Sequence, residues 1–213
     1  MDHPLMSPEQ DPFVFFDLGN VLLLFDHQIA WQQMAQLCEL DPETVRDAVF
    51  RSPLQLQYER GAISSQEFYQ YFCQQLKVQP DYRQLMKAAS DIFRPAVEVI
   101  DVLQRLAKQG CQLGLLSNTC AAHWEWIESL ELSWMKTCFE AVVLSFQVHC
   151  RKPELGMYVI AAEQAQRQPQ ELLLIDDLEE NVEAARNAGW DAIQFVGVEN
   201  LIEQLKKRNL SIH

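Results

Sequence analysis

Four short apolar segments of this sequence lead into polar residues whose types could together do chemistry. The segments and their polar residues are FVFF (13–16) with Asp17, LGLL (113–116) with Ser117 and Asn118, AVVL (141–144) with Arg151 and Lys152 in the following loop, and LLLI (172–175) with Asp176 and Asp177. One polar residue after a strand usually only begins a turn. Four complementary sets instead indicate phosphoryl transfer, because that reaction needs a nucleophile and compensation for the charge on the phosphoryl oxygens.

Parallel strands would bring these residues together. The four segments and a fifth, AIQF (192–195), show no polar alternation and are about 4–6 residues long, as expected for strands buried on both faces. Helical periodicity separates the later segments, for example at Val99, Leu103 and Leu106 before Gly110. This alternation predicts an α/β fold with a doubly wound parallel sheet, whose active site lies at the carboxyl ends of the strands.

The stretch from 24 to 92 differs, because it shows helical segments and no convincing strand. The predicted helices cover 28–39, 42–51, 53–60, 65–77 and 81–92. The residue before a proline is pushed out of helical geometry, so Arg94-Pro95 marks the return to the alternating pattern. We therefore predict an α/β core of residues 1–23 and 93–213, and a small α-helical cap of residues 24–92 inserted after the first strand.

Composition restricts the class of protein. The chain has 213 residues and a net charge of −13, so we expect neither nucleic acid nor a membrane surface as a partner. The acidic, proline-bearing N-terminal stretch MDHPLMSPEQDP is unlike a secretory signal peptide and predicts a loose tail. The six cysteines lack a Cys-x-x-Cys pair, which predicts reduced, mostly buried thiols in a cytoplasmic protein. The sequence indicates no particular oligomeric state.

The sequence also resembles a known family. Four stretches are similar, in order, to the motifs of the haloacid dehalogenase-like (HAD) hydrolase superfamily: FFDLGN (15–20), LLSNT (115–119), RKPE (151–154) and LIDDLEEN (174–181). The inserted helices resemble the small cap that this superfamily carries after its first motif. Further stretches resemble the branch that contains bacterial glucose-1-phosphate phosphatases: DLGNV (17–21), ERGAISSQEF (59–68), SNTCAAH (117–123) and RKPELGMY (151–158). The resemblance implies a phosphatase acting on small phosphorylated metabolites, with sugar phosphates favoured.

The resemblance implies catalytic roles for Asp17, Ser117 and Lys152. Asp17 is the expected nucleophile, which forms an aspartyl-phosphate. Lys152 is expected to supply positive charge beside the phosphoryl group, while Ser117 and the Asn118 backbone N–H donate hydrogen bonds to it. Ser117, Asn118, Lys152 and His123 are the expected substrate-binding residues. The alternative for Ser117 and Asn118 is a helix cap, because a helical segment follows at 119–130.

The resemblance also implies Mg²⁺ as the cofactor, since this ion prefers carboxylate, carbonyl and water oxygens. Asp17, the Gly19 carbonyl and Asp177 are the expected ligands, and Asp176 is expected to orient a water on the metal. Which of the two adjacent aspartates binds directly stays open. Either carboxylate could instead cap the helix that LEENVEAARNAG (178–189) predicts, and both roles are compatible.

Gly19 departs from the superfamily pattern, in which a second aspartate two residues after the nucleophile protonates the leaving oxygen. In one explanation the leaving group needs little help, as for a sugar 1-phosphate, whose hemiacetal hydroxyl is more acidic than an ordinary alcohol. In another, a histidine near the substrate replaces the acid, with His123 ahead of His27. In a third, the site is impaired, and the chain either acts as a metabolite-binding or protein-interaction module or hydrolyses only activated phosphoesters.

Two further alternatives stay open at this stage. A haloacid dehalogenase uses the same aspartate without a metal, but those enzymes generally carry an aromatic residue where this chain has Gly19. Glu59 and Arg60, in the cap stretch, contact the substrate, pair with each other, or pin the cap to the core. The stretch Val148-His149-Cys150 precedes Arg151-Lys152 where relatives often carry a glycine, which could alter the backbone of that loop and the position of Lys152.

Overall fold

The central sheet consists of five parallel strands, as predicted. The structure is a computed structural model that describes residues 12–210. The strands are β1 (Phe13–Phe16), β4 (Leu113–Ser117), β5 (Ala141–Leu144), β6 (Leu172–Asp176) and β7 (Asp191–Gln194). Their order across the sheet is β5-β4-β1-β6-β7. The strand order reverses beside the central β1, and α/β sheets bind ligands at such a position.

Five helices lie between the two strands of a short antiparallel ribbon. The ribbon pairs β2 (Leu23–Phe25) with β3 (Phe93–Pro95), and the helices are α1 (His27–Cys38), α2 (Pro42–Val49), α3 (Pro53–Glu59), α4 (Ser65–Leu76) and α5 (Tyr82–Ser90). All five predicted helices are present. The expectation of no strand from 24 onwards is wrong at β2. A strand of three residues is too short to show periodicity in the sequence, and the proline in its partner β3 argued against a strand there.

Capping side chains explain where these five helices begin. Asp26, Asp41, Ser52, Ser64 and Asp81 each accept a hydrogen bond from a backbone N–H of the first turn. These helices bury a third apolar cluster, which includes Met34, Leu54, Tyr58, Phe68, Phe72 and Leu85 together with Cys120 and Ala122 from the chain after β4. This separate cluster agrees with a cap, although the boundary between core and cap stays a prediction.

The remaining helices cover both faces of the sheet and flank its carboxyl end. They are α6 (Val97–Lys108), α7 (Ala121–Ser129), α8 (Ser133–Thr137), α9 (Ser145–Val148), α10 (Leu155–Ala165), α11 (Glu179–Asn187) and α12 (Val198–Lys206). Side chains of β1 alternate between the faces, so Val14 and Phe16 pack with α6 and α12, while Phe13 and Phe15 pack with α10 and α11. The predicted α/β fold with a doubly wound parallel sheet is confirmed.

The cysteines are less buried than the sequence predicts. None of the six cysteines forms a disulfide within residues 12–210, as expected, but only Cys111 and Cys120 are buried, and the other four are half-buried. The expectation that most are buried is therefore wrong. The predicted N-terminal tail lies outside the described residues except for Pro12. Within residues 12–210, none of the helices combines the length and apolarity that crossing a membrane requires.

Candidate active site

Asp17 follows β1 directly and lies at the centre of the carboxyl edge of the sheet. It is 8% exposed, and its Oδ1 accepts a hydrogen bond of 2.7 Å from the Leu18 backbone N–H. Because β1 lies between β4 and β6, the neighbouring strand ends place Ser117 and Asp176 on either side of it. Ser117 is also buried. Three of the residues singled out in the sequence therefore lie together in the structure.

The Lys152 side chain is buried between two carboxylates. Its Nζ lies 2.8 Å from Asp17 Oδ1 and 2.6 Å from Asp176 Oδ2. Burial would lower the pKa of Lys152, but Asp17 and Asp176 outweigh that effect and raise it. Burial raises the pKa of Asp17 to about 7, with Lys152 opposing and Asp176 adding to the shift. One ammonium therefore does not balance the two carboxylates that it contacts.

Asn118 holds the Lys152 backbone in place. Its Oδ1 accepts a 2.9 Å hydrogen bond from the Lys152 N–H, and its Nδ2 donates a 2.9 Å hydrogen bond to the Lys152 carbonyl. These bonds connect the end of β4 to the loop after α9. The alternative of a helix cap at Ser117-Asn118 is wrong, because α7 begins after Cys120 and has no capping bond from a side chain.

Asp17, Asp176 and Asp177 form a carboxylate cluster. Each offers an oxygen, and these oxygens lie within 4.8 Å of one another. The donor set fits Mg²⁺, which binds one or two carboxylates and completes its shell with other oxygens. Asp176 Oδ1 accepts from the Leu178 N–H and from Asn181 Nδ2, so this carboxylate also stabilises the chain before α11. Which aspartate binds the ion directly stays a prediction.

Two asparagines support this cluster, and sequence reasoning missed both. Asn20 has a left-handed backbone (φ 54°), which asparagine tolerates, and its side chain is close enough to Asp177 to oppose the rise that burial causes in the pKa of that carboxyl. Asn181 is 1% exposed, and its Oδ1 has no hydrogen-bond partner among the described residues. That unpartnered oxygen beside the carboxylates also fits a hydrated cation. The available signal was that each asparagine ends one of the motif stretches, FFDLGN and LIDDLEEN.

His123 lies beside α5 and the β2–β3 ribbon. Its Nε2 lies 3.3 Å from the Ala89 carbonyl of α5, and its ring packs against Phe93 and His27 at centroid distances of 5.2 and 6.4 Å. Burial, with a smaller contribution from His27, lowers the pKa of His123 to about 4. The imidazole is therefore neutral at pH 7. A role for His123 at the substrate stays a prediction.

Glu59 and Arg60 each pair with a residue of the loop after α9, which agrees with the prediction that they pin the cap to the core. Arg60 forms an ion pair with Glu154, and Glu59 Oε2 lies 3.2 Å from Arg151 Nη2. His149 adopts a left-handed backbone (φ 55°), the conformation that a glycine would take there, and its Nδ1 lies 3.1 Å from the Arg60 carbonyl. The end of α3 is thus attached to the loop that carries Lys152.

Comparisons with known proteins agree with this geometry. A sesquiterpene phosphatase of Aspergillus oryzae is 24% identical over 82% of this chain and 84% of its own length. A pyrimidine 5'-nucleotidase of Escherichia coli is 24% identical over 83% of this chain and 82% of its own length. A HAD family enzyme from Bacteroides thetaiotaomicron, solved as a magnesium complex, superposes with a TM-score of 0.76 at 25% identity, covering 87% of this chain and 93% of that one. The same enzyme has been solved with magnesium and inorganic phosphate.

The family model described as haloacid dehalogenase-like hydrolase matches residues 15–198. That span begins two residues before Asp17, includes the helices between β2 and β3, and extends beyond the carboxylate pair after β6. Since the match covers most of the chain and all four strand ends that form the site, this chain belongs to the haloacid dehalogenase-like hydrolase family.

Proposed function

We propose that this chain is a Mg²⁺-dependent phosphatase that hydrolyses small phosphorylated metabolites through an aspartyl-phosphate on Asp17. The observation that carries the proposal is the Lys152 ammonium, buried between Asp17 and Asp176 at the carboxyl edge of the sheet. The two curated relatives named above are phosphatases, and the Bacteroides enzyme binds magnesium and phosphate. Phosphoric monoester hydrolysis is the activity that unites these facts.

The residues of the chain account for both steps of the reaction. A carboxylate oxygen of Asp17 attacks phosphorus, and the bond from phosphorus to the leaving oxygen breaks with its electron pair. Water then attacks the phosphorus of the aspartyl-phosphate, which releases phosphate and regenerates Asp17. Lys152 holds the carboxylate and offsets negative charge on the phosphoryl group, while Ser117 and the Asn118 backbone N–H donate hydrogen bonds to it.

Asp17, the Gly19 carbonyl and Asp177 would hold Mg²⁺, with Asp176 adjacent. The bound ion would supply the positive charge that lets a phosphate approach a carboxylate. The excess of carboxylate over ammonium in the cluster supports this assignment, because such a buried arrangement is costly without a further cation.

Sugar phosphates are the favoured substrates, and a sugar 1-phosphate suits the site best. No acidic side chain stands at position 19 to protonate a leaving oxygen. A hemiacetal hydroxyl is a better leaving group than an ordinary alcohol and depends less on such an acid. The resemblance of several stretches to glucose-1-phosphate phosphatases points to the same class.

A phosphate-release assay on a small panel tests the proposal. The panel contains glucose 1-phosphate, glucose 6-phosphate, acetyl phosphate and an aryl phosphate, each with Mg²⁺, with EDTA, and with the Asp17→Asn variant. We expect release from glucose 1-phosphate well above glucose 6-phosphate, abolished by EDTA and by the substitution. Asn is the matched change, because it keeps the size of the side chain and removes the nucleophilic charge.

Other results would redirect the proposal. Equal turnover of both sugars would indicate a substitute acid, and His123→Ala would then be the next variant. No release from any substrate by folded protein would contradict the enzyme and favour the metabolite-binding or protein-interaction module.

A further inference from the structure

The space beside Gly19 is filled by the ring of Phe25. A Cβ atom built on Gly19 would lie 2.6 Å from Phe25 Cε1, whereas nonbonded carbon atoms ordinarily approach to about 3.5–4.0 Å. Gly19 does not have the positive φ that favours glycine. A larger residue at this position would therefore meet the Phe25 ring, which would have to move, while the backbone conformation itself would allow that residue.

A tight turn brings Phe25 to this position. The Leu18 carbonyl accepts hydrogen bonds from the Leu22 and Leu23 N–H groups, and Gly19 forms an isolated bridge with Leu23. The chain thus reverses immediately after the nucleophile and returns as β2, which ends in Phe25. This local geometry brings the ring into the space beside Gly19.

Neighbouring aromatic rings hold Phe25 there. Phe93 is its partner across the β2–β3 ribbon, with ring centroids 5.8 Å apart. The His27 ring meets it edge-on at 4.9 Å and packs in turn against Phe50 of the α2 C-terminus at 5.0 Å. Rings on two sides restrict the rotation by which Phe25 could make room for a larger residue at 19.

The nearby histidines are poor replacements for an acid at position 19. Burial lowers the pKa of His27 and of His123, so both imidazoles are neutral at pH 7. His27 Nδ1 has no hydrogen-bond partner among the described residues, and His123 Nε2 faces the Ala89 carbonyl. Neither ring carries the extra proton that a departing alkoxide would take.

We propose that Phe25 is a specificity-determining residue that excludes a proton donor from position 19. This inference rests on the proposed function. As the bond from phosphorus to the leaving oxygen breaks, the electron pair stays on that oxygen, which takes its proton from water. Esters of acidic hydroxyls, such as phenols and hemiacetals, are then hydrolysed, whereas phosphate esters of ordinary alcohols react poorly.

The steric part of the proposal is tested by a cycle of four proteins: wild type, Gly19→Ala, Phe25→Ala and the double variant. Thermal unfolding is measured for each. Because the added methyl meets the ring, we expect Gly19→Ala to lower Tm in the wild-type background and to lower it much less when Phe25 is alanine. An equal effect of Gly19→Ala in both backgrounds would overturn the proposal.

The chemical part is tested with a series of phosphate monoesters whose leaving groups run from 4-nitrophenol to ethanol. The slope of log kcat/KM against leaving-group pKa should be steep for wild type and for Phe25→Ala. It should flatten in Gly19→Asp/Phe25→Ala, with a gain of at least about tenfold on ethyl phosphate, since a general acid typically contributes ~10²–10⁴-fold. Gly19→Asp alone should not gain.

The outcomes separate this inference from the proposed function. A flat slope in wild type would show that another group already donates the proton, and a gain by Gly19→Asp alone would show that Phe25 excludes nothing. Either result overturns the inference while leaving the phosphatase intact. If no ester is hydrolysed by wild type, the proposed function fails, and the unfolding cycle still decides whether Phe25 excludes a side chain at position 19.

Discussion

At the scale of single residues, the position of Lys152 depends on Asn118. The ammonium that contacts Asp17 is carried by a loop, and loops are less rigid than the strands that carry the two aspartates. The Asn118 amide fixes that loop with one donated and one accepted hydrogen bond to the Lys152 backbone. The residue therefore acts through Lys152 as a positioning residue, in addition to the backbone role that the sequence predicts for it.

We expect Asn118→Ala to lower kcat by up to roughly 100-fold, because misplacing a catalytic group by about an ångström costs that much. The free energy of unfolding should fall by about 1–3 kcal/mol, since two backbone groups lose their partner. Steady-state kinetics and urea unfolding measure these effects. Asn187→Ala, an exposed asparagine at the end of α11, is the matched control and should change neither quantity. Wild-type kcat in Asn118→Ala would contradict the positioning role.

At the scale of elements, the end of α3 is the attachment between the helical insertion and the sheet. Gly61 follows it with φ +63°, and a Cβ there would lie 2.1 Å from the Phe146 carbonyl oxygen in α9. The Glu59 carbonyl is also within 2.7 Å of the Ser145 hydroxyl. Close backbone approach, and not only a turn, requires glycine at position 61.

Gly110 offers a matched control for Gly61, because it also has a positive φ (+87°) but no atom within 4 Å of an added Cβ. Gly110→Ala should cost about 1–2 kcal/mol of unfolding free energy, the price of a left-handed backbone. Gly61→Ala should cost a further ~1–3 kcal/mol, because overpacking adds to that strain. Urea unfolding of both variants measures the difference. Equal losses would show that α9 moves away without resistance.

Elements and strand-end residues could be predicted from the sequence, whereas contacts between distant segments could not. Apolar runs and helical periodicity are local signals, and they located the sheet, the five inserted helices, Asp17, Lys152 and the aspartate pair. The amide of Asn118 meets a residue 34 positions away, and its type alone does not reveal that partner. Phe25 belongs to a strand too short for a pattern, so its contact with Gly19 emerged only from the folded chain.

At the scale of the whole molecule, charge connects the site to stability. The chain carries a net charge of −13, and folding gathers Asp17, Asp176 and Asp177 within 4.8 Å against one buried lysine. Carboxylates of like charge in a buried cluster oppose folding. A cation that binds this cluster only in the folded chain should therefore stabilise the entire protein.

We expect Mg²⁺ at about 100 times its dissociation constant to add about 2.7 kcal/mol to the free energy of unfolding. For a chain of this size that corresponds to a rise in Tm of roughly 5–10 °C. Thermal unfolding in Mg²⁺ and in EDTA, at ionic strength matched with NaCl, measures the shift.

Asp177→Asn should lose most of this Mg²⁺-dependent rise in Tm, because one carboxylate of the cluster is gone. Glu125→Gln, which removes the same charge from an exposed site on α7, should keep it. A shift of equal size in both variants would mean that Mg²⁺ only screens the net charge, and no shift in wild type would mean that the cluster does not hold the ion.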